Sequence, residues 1–333
     1  MVHRRAVPPR AEVASLRAAS AVRELHRRGC GPVEAGVTTP VPAAAPRALD
    51  HVVMPVDTLV EARGLFERLG FTVAPDARHP FGTENACVFF ADGTYLEPLA
   101  VGDMALCGQA AEAGNPFVLR DRLFRQAAAV PGISGFALKS PDMRADRAAW
   151  ERLGVSQGDM LSFSRPFRKP DGEATEVGFR LTFAGRAHWA RIVLFAVEPI
   201  HRFTSDRSAL TRHANGVTGI ARLVLAAGDL DEAFTLLEPV LRSPATVASD
   251  GATMAAANVA LEIQTPEAIE ARYGVHVLTG NGPQIAGLVL SVNDLDGARH
   301  VIDASASHAR TDEERVVVPF GPQSFIAFEG GRS

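Results

Sequence analysis

Ala48-Leu-Asp-His-Val-Val-Met-Pro-Val-Asp-Thr-Leu-Val-Glu-Ala62 has a counterpart further along the chain, Gly219-Ile-Ala-Arg-Leu-Val-Leu-Ala-Ala-Gly-Asp-Leu-Asp-Glu-Ala233. Without gaps, Leu59-Val-Glu-Ala62 falls on Leu230-Asp-Glu-Ala233. A third copy is Ile285-Ala-Gly-Leu-Val-Leu-Ser-Val-Asn-Asp-Leu-Asp-Gly-Ala298. A weaker fourth begins at Ile133-Ser-Gly-Phe-Ala-Leu-Lys-Ser-Pro-Asp142 and ends in Trp150-Glu-Arg-Leu-Gly154, which echoes Phe66-Glu-Arg-Leu-Gly70. In each copy an apolar run of about six residues reads as a strand, a Pro, Asp or Asn turn follows, and a short helix comes next. The first helix is expected to be capped by Asp57 or Thr58 and stopped at Gly70. Shorter β-like runs then close each copy, and each closing run carries one glutamate: Glu97, Glu198, Glu262 and Glu329. A charge recurring inside apolar strands asks for a reason.

The repeats divide 333 residues into four modules in two pairs, preceded by an atypical stretch over residues 1–46. That stretch holds only Glu12, Glu24 and Glu34 as acids, with clusters of Pro and Ala. Glu12 to Arg28 has the spacing of a basic amphipathic helix. A disordered or loosely docked arm, a partner-binding helix and a start at Val37 are the three readings it leaves open. No signal peptide is expected, because no apolar segment of sufficient length follows the basic start.

A formal charge of −4, from 34 basic and 38 acidic residues, provides no field for a phosphate backbone, so nucleic acid is not an expected partner. No apolar run approaches the ~20 residues of a membrane span. Cys30, Cys87 and Cys107 show no CxxC spacing, which argues against a disulfide framework and a thiolate zinc site and suits a reducing cytoplasm. Only Lys139 and Lys169 are lysines, and the Ala, Arg, Gly and Pro bias is that of a GC-rich bacterial genome.

The βαβββ unit resembles the vicinal oxygen chelate superfamily of glyoxalase I, extradiol dioxygenases and antibiotic-resistance proteins. Leu49-Asp-His-Val-Val53, Arg78-His-Pro-Phe-Gly-Thr-Glu-Asn85, Tyr95-Leu-Glu-Pro-Leu99 and His213-Ala-Asn-Gly216 are similar to its bacterial glyoxalase-like members. The resemblance implies an α+β fold in which paired modules form half-open mixed β-sheet barrels flanked by helices, one barrel over 47–205 and a second, degenerate one over 206–330.

It also implies a metal site, with ligands from the first and last strands of paired modules. Carried over by position, these are His51, Glu97 and Glu198, a set that suits Fe²⁺, Mn²⁺, Ni²⁺ or Zn²⁺ with positions left for a chelating substrate. Leu49, His51 and Val53 are expected on one strand face, as are Tyr95, Glu97 and Leu99. Glu97, Glu198 and His79 are the candidates for moving a proton. Thr83 and Asn85 are candidate substrate contacts at the mouth of the cup, with structural capping as the alternative. His213 and Asn215 either reach over the first cup or cap the next strand. Arg222 and Gly287 stand where His51 would be in the second barrel, and arginine cannot ligate a metal.

The expected function is a metal-dependent lyase or isomerase acting on a small molecule with vicinal oxygens. A metal-free binding or resistance protein and a ring-cleaving dioxygenase are the alternatives, and a homodimer is compatible with each. Arg165-Pro-Phe-Arg-Lys-Pro-Asp-Gly-Glu173 reads as a basic loop that is either solvated or in contact with an anionic substrate. The Gly-Asn-Gly-Pro283 fragment lacks the strand-to-helix setting of a nucleotide loop, and Ser156 lacks that of a nucleophile elbow.

Overall fold

The computed structural model describes residues 45–168, 174–200, 206–304 and 308–331. The Glu12 to Arg28 stretch and residues 169–173 of the basic loop lie outside them. The four modules are regular. The first comprises β1 (Leu49–Pro55), α1 (Leu59–Arg68), β2 (Ala77–Arg78), β3 (Thr83–Asn85), β4 (Val88–Phe89) and β5 (Tyr95–Val101). Helices α2 (Met104–Glu112) and α3 (Pro116–Ala127) lead to the second, made of β6 (Gly135–Lys139), α4 (Met143–Arg152), β7 (Leu161–Arg168), β8 (Ala174–Ala184) and β9 (Val193–Pro199). The third has β10 (Val217–Ala226), α5 (Leu230–Leu241), β11 (Thr246–Ala248), β12 (Gly251–Ala255) and β13 (Ala260–Gln264). After α6 (Pro266–Tyr273) the fourth follows with β14 (Gln284–Val292), α7 (Leu295–Asp303), β15 (Arg310–Thr311), β16 (Arg315–Pro319) and β17 (Phe325–Gly330).

The turn residues shared by the repeats are helix caps. Thr58, Asp142, Asp229 and Asp294 each accept a backbone N–H of the first helical turn through the side chain, which explains why a short polar residue recurs there. Gly70 ends α1 at φ +86°, a conformation that L side chains avoid.

Modules pair through their first strands. β1 and β6 run antiparallel at the centre of one mixed sheet, ordered β2-β3-β5-β1-β6-β9-β8-β7 with β4 beside β5. β10 and β14 do the same in a second sheet, ordered β11-β12-β13-β10-β14-β17-β16-β15. In every module the last strand lies parallel to the first. This is the expected α+β architecture of paired half-barrels.

Each sheet has two apolar faces. One shared core takes Val52, Met54, Leu96, Leu194 and Ala196 from the first sheet and Leu223, Leu288, Ile326 and Phe328 from the second. The ring pairs Phe66–Phe320 and Phe71–Phe328, at 6.0 and 5.9 Å, belong to it. The opposite faces line two separate cups, the first with Val53, Leu99, Ala137, Phe183 and Phe195, the second with Val224, Val289, Val317 and Phe325.

Candidate functional site

The floor of the first cup is built from neighbouring strands. β1 and β5 place Val53 opposite Glu97 and His51 opposite Tyr95. Alternation then directs His51 and Glu97 into the cup while Val52 and Leu96 enter the shared core. Leu49 breaks the expected pattern. It packs in the shared core because the β1–β6 register shifts between Leu49 and His51, and a bulge reverses the side-chain phase. The same irregularity lets adjacent side chains meet: His51 Nδ1 lies 2.8 Å from Asp50 Oδ2. His51 Nε2 is 3.3 Å from Glu97 Oε2, and the ring stacks on Tyr95 at 4.5 Å.

His79 reaches the same place from the β2–β3 hairpin. Its Nδ1 is 2.8 Å from Thr83 Oγ1, and its Nε2 is 3.8 Å from Glu97 Oε1. Gly82, at φ +95°, closes the turn, and a Cβ there would lie 2.6 Å from the Asp103 carbonyl oxygen. The hairpin tip is therefore pressed against the start of α2. Asn85 donates its Nδ2–H to Glu97 Oε1 at 2.6 Å. Above these groups stands a wall of phenylalanines. Phe81 stacks on His79 at 5.0 Å, Phe163 and Phe117 meet it edge-on at 5.5 and 5.9 Å, and Phe195 meets His51 at 5.5 Å.

The charges follow from this packing. Burial alone would push His51 down, but hydrogen bonds to Asp50 and Glu97, with their negative charges, outweigh it and raise the imidazole to about 9. Burial opposes ionisation of Glu97, yet His51, His79 and Asn85 hold its carboxyl down at about 2. Burial lowers His79 to about 4, against the attraction of Glu97 and with help from the charges of Arg165 and His51. Near neutral pH the floor is a His51 cation paired with a Glu97 anion, beside a neutral His79.

One expected assignment changes, and for two pairs of residues the structural alternative is the arrangement seen. Glu198 alternates with Leu194 and Ala196, away from the cup, and pairs with Arg180 at 3.4 Å. The strand register explains why: Phe195 stands opposite Ala137 as Glu97 stands opposite Val53, so the second module supplies a phenyl ring where a second carboxylate was expected. Thr83 and Asn85 are 1% and 4% exposed and spend their polar atoms on His79 and Glu97, so they position those groups from behind. His213 is bound at both ring nitrogens by backbone, accepting from Thr72 N–H and donating to the Phe89 carbonyl, and Asn215 bridges Leu69 and Val217. Both residues tie the modules together and do not reach into the cup.

The His51, Glu97 and Glu198 set thus does not fit a metal ion. Among the described residues no group of three His, Cys, Asp or Glu side chains is arranged to hold one. Tyr95 lies on the face of Glu97 as expected, whereas the sequence singles out neither Asp50 nor the phenylalanine wall, although Phe81 lies within the Arg78 to Asn85 stretch and Asp50 adjoins His51.

The second cup carries a network of ion pairs, and Tyr273, Val275 and Val317 of its apolar cluster border a cavity of about 320 Å³. Arg222 and Glu262 occupy the strand positions of His51 and Glu97, with Val224 opposite Glu262. Arg222 contacts Glu262 at 3.0 Å and Glu329 at 2.6 Å, while Arg272 holds Glu262 at 3.0 Å and Arg315 holds Glu329 at 3.5 Å. The Phe325 ring fills the space over Gly287, where a Cβ would lie 2.4 Å from it. Arg222 thus meets two acids of its own sheet.

The sequence profile described as "Glyoxalase-like domain" matches residues 49–241. No curated protein sequence matches the chain. Among solved structures, a hypothetical protein from Staphylococcus aureus superposes with a TM-score of 0.62 at 11% identity, covering 86% of this chain and 100% of that one. A variant of 4-hydroxymandelate synthase from Streptomyces coelicolor gives 0.52 at 13% identity, over 87% and 95% of the two chains. A xylose isomerase-like TIM barrel/4-hydroxyphenylpyruvate dioxygenase fusion protein gives 0.51 at 14% identity, over 91% of this chain and 52% of the other. At such identities the likeness is one of fold. No helix among the described residues is long and apolar enough to cross a membrane.

Proposed function

Because the chain belongs to the glyoxalase-like domain family of the vicinal oxygen chelate superfamily, we propose that its first half-barrel is a binding cup for a small molecule with an apolar, ring-sized body and at least one oxygen. One observation carries this reading: a buried His51–Glu97–His79 floor lies under Phe81, Phe117, Phe163 and Phe195, and none of its three groups titrates near neutrality. A general base works best with a pKa near the working pH. Glu97 at about 2 and His79 at about 4 are too weak as bases, and His51 at about 9 is already protonated. The floor is better suited to hydrogen-bonding a ligand oxygen than to abstracting a proton, and the phenyl rings supply apolar area and edge-on contacts.

A second reading has an observation of its own. Both imidazoles have Nδ1 engaged, by Asp50 and Thr83, and turn Nε2 toward Glu97. Two imidazoles and one carboxylate are the donor types a divalent ion takes, and it would supply Lewis acidity, although the three side chains are not arranged to hold one as they stand. The His51–Glu97 contact would have to open to admit it.

Calorimetric titration with benzamide and phenylacetamide tests the first reading, paired with elemental analysis of the purified protein. Saturable one-to-one binding that is lost in Phe81→Ala supports it. A stoichiometric metal that disappears in both His51→Ala and Glu97→Ala replaces it with the second.

A further inference from the structure

Arg165 is a cation with no described purpose. It sits on β7 opposite Val177, on the strand face that carries Leu161 and Phe163. That face belongs to the first cup: Leu161 and Phe163 pack against the cup's apolar cluster, and so do Phe179 and Leu181 on the paired strand. Ser162, Ser164 and Pro166 take the alternate, outward positions. Phe163, two residues before Arg165, touches the His79 ring edge-on, so the guanidinium is carried on the wall immediately above the floor.

Several arginines of this chain are paired with acids. Arg47, Arg125, Arg180, Arg222 and Arg315 each face a carboxylate. Arg165 has no carboxylate within ion-pair distance among the described residues, and its Nε is buried without a hydrogen-bond partner. Leaving a buried guanidinium N–H unmet costs about 1–3 kcal/mol or more. Proteins seldom keep such an orphan unless something else meets it. Its charge is also felt on the floor, where it helps keep His79 neutral.

We propose that Arg165 is the anion anchor of the first cup and that the ligand class is a small carboxylic acid with an aromatic or branched apolar body. The carboxylate pairs with the guanidinium through charge-assisted hydrogen bonds, for which arginine's planar fork is suited. The body lies among Phe81, Phe117 and Phe163, and a second oxygen meets His79. The anionic floor partner, Glu97, is already neutralised by His51, so it does not repel the incoming acid. The inference rests on the cup reading above and adds the sign of the ligand's charge.

The test compares benzoate and phenylacetate with their amides, benzamide and phenylacetamide, by calorimetry on the full chain. Wild type is expected to prefer each acid over its amide by about tenfold or more, corresponding to one charge-assisted contact. In Arg165→Met that preference disappears while amide binding is kept, and Arg165→Lys retains part of it. The melting temperature of Arg165→Met is expected to be no lower than that of wild type, since the change removes a half-buried guanidinium that no described carboxylate meets. Equal binding of acid and amide by wild type, or an acid preference that survives in Arg165→Met, overturns the inference and leaves the cup reading standing. Failure of all four probes to bind overturns both.

Discussion

At the scale of single residues, the site is governed by how one carboxylate is shared. Glu97 accepts from Asn85, pairs with His51 and faces His79, so each neighbour's charge state depends on it. In Glu97→Gln the His51 imidazole loses a hydrogen-bonded anion while burial is unchanged. Its titration, followed by NMR of the ring protons, is expected to fall well below about 9. A His51 that still titrated there would mean that Asp50 alone sets its charge.

Stability should follow the same groups. His51 is raised from 6.5, so its contribution is complete below that pH and is lost as pH rises through about 9. Glu97 is depressed from 4.5, so its contribution is complete above that pH and is lost as pH falls through about 2. His79 is depressed from 6.5 to about 4, so below 6.5 the unfolded chain takes up a proton that the folded one refuses, and stability declines. The site's contribution therefore peaks near pH 6.5. Urea midpoints measured across pH should show a shallower decline between 6.5 and 4 in His79→Asn than in wild type.

At the scale of elements, the two helices that join the first pair of modules differ in how they are held. α3 buries Pro116, Phe117, Val118, Asp121 and Phe124, and Arg125 binds the Val56 and Leu99 carbonyl groups. α2 buries no residue fully and leaves Met104 83% exposed. Few buried contacts mean a low cost of local opening. In hydrogen exchange, the amides of α2 are expected to exchange well before those of α3, and equal protection would contradict this. The glycine beneath α2 has no such freedom. Gly82→Ala faces a positive φ and a backbone carbonyl at 2.6 Å, so a loss of about 1–3 kcal/mol is expected from urea unfolding.

At the scale of the whole molecule, one apolar core runs between the two sheets. Arg47 reinforces it at the entry to β1. Its guanidinium pairs with buried Asp146, which also receives Arg242 and Ser140, and its backbone bonds to Leu241 and Ala257 of the third module. Losing the two-pronged Arg47 contact leaves Asp146 with Arg242 and Ser140 alone, at a cost of about 1–3 kcal/mol. Arg47→Met is expected to lower stability by about that amount, within a single unfolding transition seen alike by fluorescence and circular dichroism. Two separated transitions would show that the halves fold independently.

Repetition and periodicity made the fold legible. Apolar runs, Asp and Thr caps and the glycine after α1 are local features, and four copies in order specify four βαβββ modules, whereas the pairing of their first strands is seen in the structure. His51, Glu97 and His79 could be singled out for a related reason: polar residues in apolar strands and tight turns are conspicuous. Glu198 could not be placed in this way. A strand's two faces differ by one residue, and counting along the sequence from one closing run to another does not fix that phase. Only hydrogen-bonded register does, and it turns Glu198 outward and puts Phe195 in the cup. The bulge that moves Leu49 into the shared core, the arrival of His79 on the same carboxylate as His51, and the lack of an acid beside Arg165 among the described residues are likewise matters of packing. Secondary structure arises from short-range patterns carried by the chain itself, whereas a site depends on which faces meet, and that is decided when strands distant in sequence pair.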